Sequence, residues 1–525
     1  MILEVMHEGS CSIRNCPAGA TNMKIEAIRH LPEDLQPRFL QDVKMIFSVE
    51  GSGIMHKYHE KMASLSDQIW DYAELKFAEY KSAKVMIDFL KSEGFEIESG
   101  LGGIETAYKA TFGHGKPVIG ILGEFDALSG MSQKADVVQK ISREGTNNGH
   151  GCGHHLLGTA GIGAAMMIRD YLLETGKEGT VVFYGCPGEE GGSGKAYMAR
   201  DGVFNICDMI IKWHPAGINS VVTGSYQANC QVYFKFKGTT AHAAGSPHLG
   251  RSALDAVELM NVGVNYMREH MESTDRIHYA VLDTGGVSPN VVQAKATVLY
   301  LIRSIDTEKV LALYERVKKI AMGAALMTET EVEIIFDKAC SNVISNSVIE
   351  QLLYESMERV GVPTYTDEEM AYAQQFTDTL SDAQFASDLG VASAANKTKT
   401  EVLKRVRAEG PMHKFIVPHE HRDAYLMGSA DTGDASYCAP TAQFVAATYA
   451  AGTPGHSWQM VAQGKSSIAH KGQMYAAEVL ADAAIRAIEE PEIIKKAKEE
   501  FLAVTGGKPY VCPIPANVKP AASRL

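Results

Sequence analysis

The stretch from Gly149 to Pro215 limits what this chain can fold into more than any other. Three polar clusters punctuate it. They are Gly149-His150-Gly151-Cys152-Gly153-His154-His155, Cys186-Pro187-Gly188-Glu189-Glu190-Gly191-Gly192 and Trp213-His214-Pro215. Apolar, strand-like segments, Gly179 to Tyr184 and Asp208 to Lys212, run into the second and third clusters. Thiols, imidazoles and paired carboxylates are the side chains that bind divalent transition metals. Loops beyond strand ends are where open α/β sheets place their sites. The stretch therefore predicts an α/β chain with a metal-dependent hydrolytic site.

The rest of the chain fits that frame. At 525 residues it should hold more than one domain. Fifty basic against 63 acidic residues give a net charge of −13, which argues against a nucleic-acid surface. No window approaches ~20 uninterrupted apolar residues, so no membrane span is expected, and the N-terminus lacks the pattern of a signal peptide. Nine scattered cysteines, an odd number, predict reduced thiols and a cytoplasmic location.

Residues 1 to 54 show no sustained period and read as an extension outside the fold. Helices are expected over Ala63 to Phe77, Tyr80 to Leu90 and Leu156 to Leu173, and strands over Ala107 to Phe112, Pro117 to Leu122 and Thr180 to Tyr184. This alternation predicts a largely parallel, doubly wound sheet. From Gln231 the pattern changes to strict alternation. A helix follows whose stripe is Ala253, Val257, Met260, Val264 and Met267, then strands over Ile277 to Leu282 and Lys295 to Arg303. A second helix, Thr307 to Met322, and a strand, Glu331 to Asp337, complete a β-α-β-β-α-β, ferredoxin-like order. Residues 226–340 thus read as a small inserted domain, dividing the larger one into 55–225 and 341–525. Residues 363–425 are too polar to assign. Gln443 to Tyr449 reads as a strand and Ile468 to Ile488 as a long amphipathic helix.

The residues permit definite chemistry. Cys152 and His154 lie two apart in a glycine-flanked loop that can turn both toward one point. In Glu189-Glu190 one carboxylate can bind metal while its neighbour acts as general base on a water. His214 is a further candidate ligand.

Five ordered segments carry a resemblance. They are Gly123-Glu124-Phe125-Asp126-Ala127-Leu128, Gly151-Cys152-Gly153-His154, Pro187 to Gly192, His214-Pro215, and Ala241-His242-Ala243 with Pro247-His248. Together they resemble the amidohydrolase branch of metallopeptidase family 20, from about Met55 to the C-terminus. The resemblance implies a catalytic domain with an inserted dimerisation or lid domain. It also implies two divalent metal ions per subunit, manganese or zinc, held by Cys152, His154, Glu190, His214 and a late histidine. His456 in Pro454-Gly455-His456-Ser457 matches that last place best, with His470 as the rival. Glu189 would be the base, and Asp126 would orient a ligand imidazole. His242 would reach the partner subunit's site and stabilise the oxyanion. Asn290 and Arg303 would hold a substrate carboxylate.

Two positions depart from the family pattern. His155 stands where many relatives have aspartate. Glu124 stands where other branches have a metal-binding histidine, and it is not assigned as a ligand. The expected activity is hydrolysis of an amide next to a free carboxylate, in a p-aminobenzoyl-glutamate-like or N-acyl-amino-acid substrate. A dipeptidase or deacylase on the same scaffold, and a non-catalytic subunit, are the rival readings. A homodimer, and a homologous partner subunit, are the expected assemblies.

Overall fold

The computed structural model describes residues 54–388 and 396–523, so nearly all of the expected N-terminal extension lies outside the described residues. The chain divides into two compact units, Met1–Glu60 and Lys61–Leu525. Both sheets that matter here belong to the second.

The larger sheet has seven strands. Their order is Glu96–Ser99, Tyr108–His114, Gly179–Cys186, Val118–Glu124, Met209–Ala216, Thr441–Ala447 and Ser220–Val222. The four central-to-late strands, from Gly179–Cys186 to Thr441–Ala447, run parallel to one another. The pairs at the margins are antiparallel. The sheet is therefore mixed, with the expected parallel, crossover-built part at its centre. Val118–Glu124 and Gly179–Cys186 are buried at every position. Strands covered on both faces need such continuous apolar runs.

Helices His154–Thr175 and Ser467–Glu489 pack on each other and on this sheet. Small residues allow the approach. A Cβ on Gly158 would stand 2.6 Å from the carbonyl oxygen of Glu124. His154–Thr175 is long and apolar enough to cross a membrane by length and composition, yet 78% of its apolar window is buried in this core.

The β-α-β-β-α-β segment forms a separate four-stranded antiparallel sheet. Its order is Arg276–Asp283, Lys295–Ser304, Ala228–Lys237, Glu331–Cys340. Helices Ala253–Met267 and Thr307–Thr328 cover it. The predicted stripe Ala253, Val257, Met260, Val264 and Met267 is buried. A hydrophobic face at this spacing must find a sheet to cover.

Two expectations need correction. The first helix ends at Tyr72, not Phe77. Ala73 and Phe77 take left-handed φ values of 43° and 58°. Between them, the Glu74 carboxylate accepts the backbone N–H groups of Lys81 and Ser82 and so starts the next helix. The polar stretch 363–425 contains helices Asp367–Thr377, Asp382–Asp388 and Asn396–Glu409. The third of these is mostly charged and polar in sequence. Its i, i+4 pair Val402 and Val406 enters a buried cluster, too thin a stripe to read from sequence.

Candidate metal centre

The candidate residues meet at the carboxyl ends of the four parallel strands. Glu124 ends Val118–Glu124, and Asp126 follows it. Glu189 and Glu190 follow Gly179–Cys186, His214 lies near the end of Met209–Ala216, and His456 follows Thr441–Ala447. Cys152 precedes the helix His154–Thr175, and His154 opens it.

Glycine makes two of these turns possible. Gly153 has φ +77° and a Cβ there would stand 2.4 Å from the Tyr449 hydroxyl. Gly188 has φ +69°, with the Phe77 ring 2.5 Å from where a Cβ would be. Both the left-handed backbone and the space exclude other residues. His456 takes the left-handed region without being glycine, at φ 54°. Its backbone N–H donates to the Gly151 carbonyl at 2.8 Å, tying its loop to that of Cys152. Non-glycine residues held in this way concentrate at functional sites.

Hydrogen bonds aim the side chains. Asp126 Oδ1 lies 2.9 Å from His154 Nδ1, and its Oδ2 accepts the Glu190 backbone N–H at 2.8 Å. His154 Nε2 is thereby left for a ligand. His214 Nδ1 lies 2.9 Å from the Pro215 carbonyl, and its Nε2 faces Cys152 Sγ at 3.3 Å. His456 Nε2 stands 3.2 Å from Glu190 Oε1, and His154 Nε2 stands 3.3 Å from Glu124 Oε2.

These last two contacts lack hydrogen-bond geometry. Glu124 Oε2, His154 Nε2 and Glu190 Oε1 are buried with no hydrogen-bond partner. Buried polar atoms are rarely left so, since each costs about 1–3 kcal/mol. Ligand atoms lie within 4.8 Å of one another in three groups: Cys152, His154 and His214; Cys152, Glu190 and His456; His154, Glu189 and Glu190. A thiol, three imidazoles and carboxylates with unpartnered atoms turned inward fit a divalent transition metal.

The electrostatics agree. Burial raises the Cys152 thiol pKa, but His214 and His154 outweigh it and bring it down to about 5. A thiolate is the form that binds metal. Burial likewise works against the Glu190 carboxylate, and contact with His456 and the charge of His154 hold it down at about 2. Burial, then Glu124, Glu190 and Asp431, push the Glu189 carboxyl well above its usual range. A carboxyl with raised proton affinity is suited to accept and return a proton.

The other predicted residues lie elsewhere. His470 pairs with Asp67 at 3.0 Å, and it is His456 that joins Cys152 and Glu190. His242 is exposed on the inserted segment, its Nδ1 accepting from the backbone of Ala244 and Gly245. Asn290 is exposed beside it, its carbonyl bonded to Ala243 N–H at 3.0 Å. Arg303 is half-buried and donates from Nη1 to Ser429 Oγ at 2.7 Å. Burial lowers its pKa, and the nearby Cys340 and Glu189 act in the opposite direction. His155 is fully buried, its Nε2 2.9 Å from the Gly464 carbonyl.

Sequence reasoning missed a buried charge cluster behind the site. Glu124 Oε1 lies 2.6 Å from both Lys195 Nζ and Lys212 Nζ. Lys195 Nζ also reaches Asp431 Oδ1 at 2.6 Å, and its backbone N–H donates to Asp431 Oδ2 at 2.9 Å. All four residues are at most 2% exposed. The signal was there in Lys212, a lysine inside an apolar strand, which needs a buried partner.

No family model matches the chain. Among known proteins it is 45% identical to one of the subunits of p-aminobenzoyl-glutamate hydrolase of Escherichia coli over 462 residues, 88% of this chain and 96% of that one. Solved structures share the fold. An aminobenzoyl-glutamate utilization protein from Klebsiella pneumoniae matches with TM-score 0.54 at 16% identity, covering 82% of this chain and 97% of that one. A dinuclear metal-binding peptidase of the M20 family from Bacillus subtilis matches with TM-score 0.50 at 17% identity, covering 83% and 99%. With near-complete coverage at 45% identity, the chain belongs to the family of metal-dependent amidohydrolases that includes p-aminobenzoyl-glutamate hydrolase.

Proposed function

We propose that the chain hydrolyses the amide of a p-aminobenzoyl-glutamate-like or N-acyl-amino-acid substrate bearing a free carboxylate. The observation that carries this reading is the convergence of buried, unpartnered ligand atoms at the strand ends. Cys152, His154, Glu190, His214 and His456 would hold two divalent ions. Cys152 belongs to two of the ligand groups, which supports a pair rather than a single ion. Thiolate and imidazole favour zinc, and the carboxylates admit manganese. The bound ions would supply Lewis acidity to the amide carbonyl and to water.

Every other role falls to side chains. Glu189 takes a proton from the attacking water and returns it to the leaving amine. Asp126 fixes His154 and, through the Glu190 N–H, the loop that carries both glutamates. The Arg303 guanidinium binds the substrate carboxylate, and Asn290, on the same exposed arm as His242, joins it from the partner subunit. Residues 226–340 serve as the dimerisation or lid domain of a catalytic domain made of 55–225 and 341–525.

The His242 ring bonds to the backbone of its own loop and to none of the metal-centre residues, which supports its service to a partner subunit. Among the described residues the strand Arg276–Asp283 pairs with one neighbour, and it exposes Tyr279, Val281 and Leu282. An edge of this kind suits strand pairing with a second copy or a homologous subunit. The seven described cysteines are all free, in keeping with a reducing cytoplasm.

The test is a hydrolysis screen of the purified protein with zinc, manganese or cobalt, against N-acyl-glutamates and dipeptides. Turnover of the N-acyl-glutamates above dipeptides is expected. Absence of turnover with every metal, in protein shown to be loaded, would leave the non-catalytic reading.

A further inference from the structure

One strap of chain touches both the substrate-carboxylate arm and the hydrolytic loop. It runs beside the link into the inserted segment. Tyr425 and Leu426 pair in parallel with Ser225 and Tyr226, and Gln227 N–H donates to the Gly428 carbonyl at 2.8 Å. Ser429 Oγ then accepts from Arg303 Nη1 at 2.7 Å. Two residues on, Asp431 accepts both the ammonium and the backbone N–H of Lys195, at 2.6 and 2.9 Å. Lys195 closes the glycine-rich loop that carries Glu189 and Glu190, and its ammonium holds Glu124 at 2.6 Å. Thr432 Oγ1, next in the chain, accepts from Lys212 at 3.1 Å.

We propose that Ser429 is a positioning residue that sets specificity for a substrate carboxylate, with Asp431 as the fixed end of the strap. The proposal rests on the assignment of Arg303 made above. Arg303 comes from the inserted sheet and Glu189 follows a strand of the large one, and beside the core that both sheets share the strap links the two directly. Residues two apart in a chain span at most about 7 Å. The strap therefore couples the guanidinium to the loop of the base over a fixed, short reach. The Ser429 hydroxyl engages Nη1 alone, which leaves Nε and Nη2 for a bidentate carboxylate. Without that bond the half-buried guanidinium can turn, and the fork loses its aim. A substrate without the carboxylate gains nothing from it.

The experiment compares Ser429→Ala, Ser429→Thr and Arg303→Ala in the full chain. An N-acyl-glutamate and the matching amide without its free carboxylates are used as substrates. A hydrogen bond to a charged group corresponds to roughly tenfold in affinity. Ser429→Ala should raise KM for the acid about tenfold with kcat within about twofold, and should leave the neutral substrate unchanged. Ser429→Thr, which keeps the hydroxyl, should restore the acid's KM. Metal content and urea midpoint should match the parent in both. If Arg303→Ala raises KM and Ser429→Ala does not, the strap has no positioning role, while the proposed function stands. If Arg303→Ala leaves KM unchanged, the carboxylate assignment falls and this inference with it. A loss in Ser429→Ala that is equal for both substrates would show a structural role and overturn the proposal.

Discussion

Replacing Lys195 by methionine tests the charge cluster behind the site. Lys195 is fully buried, with its ammonium 2.6 Å from carboxylate oxygens of both Glu124 and Asp431. Methionine keeps most of the stem's packing and removes the charge. Glu124 would retain Lys212 at 2.6 Å. Asp431, 2% exposed, would keep the N–H of residue 195 and lose its ammonium partner. Breaking a buried pair by removing one member costs about 3–5 kcal/mol, because the survivor stays buried and uncompensated. The two retained contacts put this case near the lower end, about 3 kcal/mol. That is a large share of a stability of order 5–15 kcal/mol, and about two decades in the folding equilibrium. Urea unfolding read by tryptophan fluorescence measures it, since Trp213 is buried in the strand of Lys212. Lys195→Met/Asp431→Asn should recover much of the loss, because no unpaired carboxylate then remains. A single variant within about 0.5 kcal/mol of the parent, the scatter of neutral surface changes, would refute the argument.

Other outcomes follow from the same geometry. Glu189→Gln should lower kcat by about 10²–10⁴-fold with metal content unchanged; elemental analysis and kinetics on one sample check it, and loss of metal would mean the two glutamates are assigned the wrong way round. Cys152→Ser combined with His154→Ala removes members of all three ligand groups, so elemental analysis should show metal largely lost; full occupancy would overturn the ligand set. Asp434 is fully buried, and burial raises its carboxyl to about 7 from the usual 3.8. Its folded pKa is raised, so its contribution to stability is complete below about 4 and is lost as pH rises through about 7. Asp434→Asn should therefore gain on the parent in Tm between pH 5 and pH 8, and parallel Tm curves would contradict this.

Much of the candidate site was legible in the sequence because its ligand-type residues arrive as short local words. Cys152 and His154, or Glu189 and Glu190, are neighbours in sequence, and glycines beside them announce a tight turn. The four strands beneath them read as apolar runs, and the inserted sheet as a change from continuous to alternating pattern. What could not be read were partnerships between distant segments. The motif already favoured His456 over His470, but which loop folds back onto Gly151 and which helix face meets Asp67 appears only in the fold. Helix Asn396–Glu409 escaped because so few of its residues are apolar.

Residue type and periods of a few residues were enough for the chemistry available, the strand-and-loop frame that presents it, and the β-α-β-β-α-β insertion. Which groups face one another came only with the folded chain: Lys195 and Lys212 on Glu124, Ser429 on Arg303. Such pairs can join residues 236 positions apart, as in Lys195 with Asp431. Their energy comes from burial in a low-dielectric interior that exists only once the chain has closed around them.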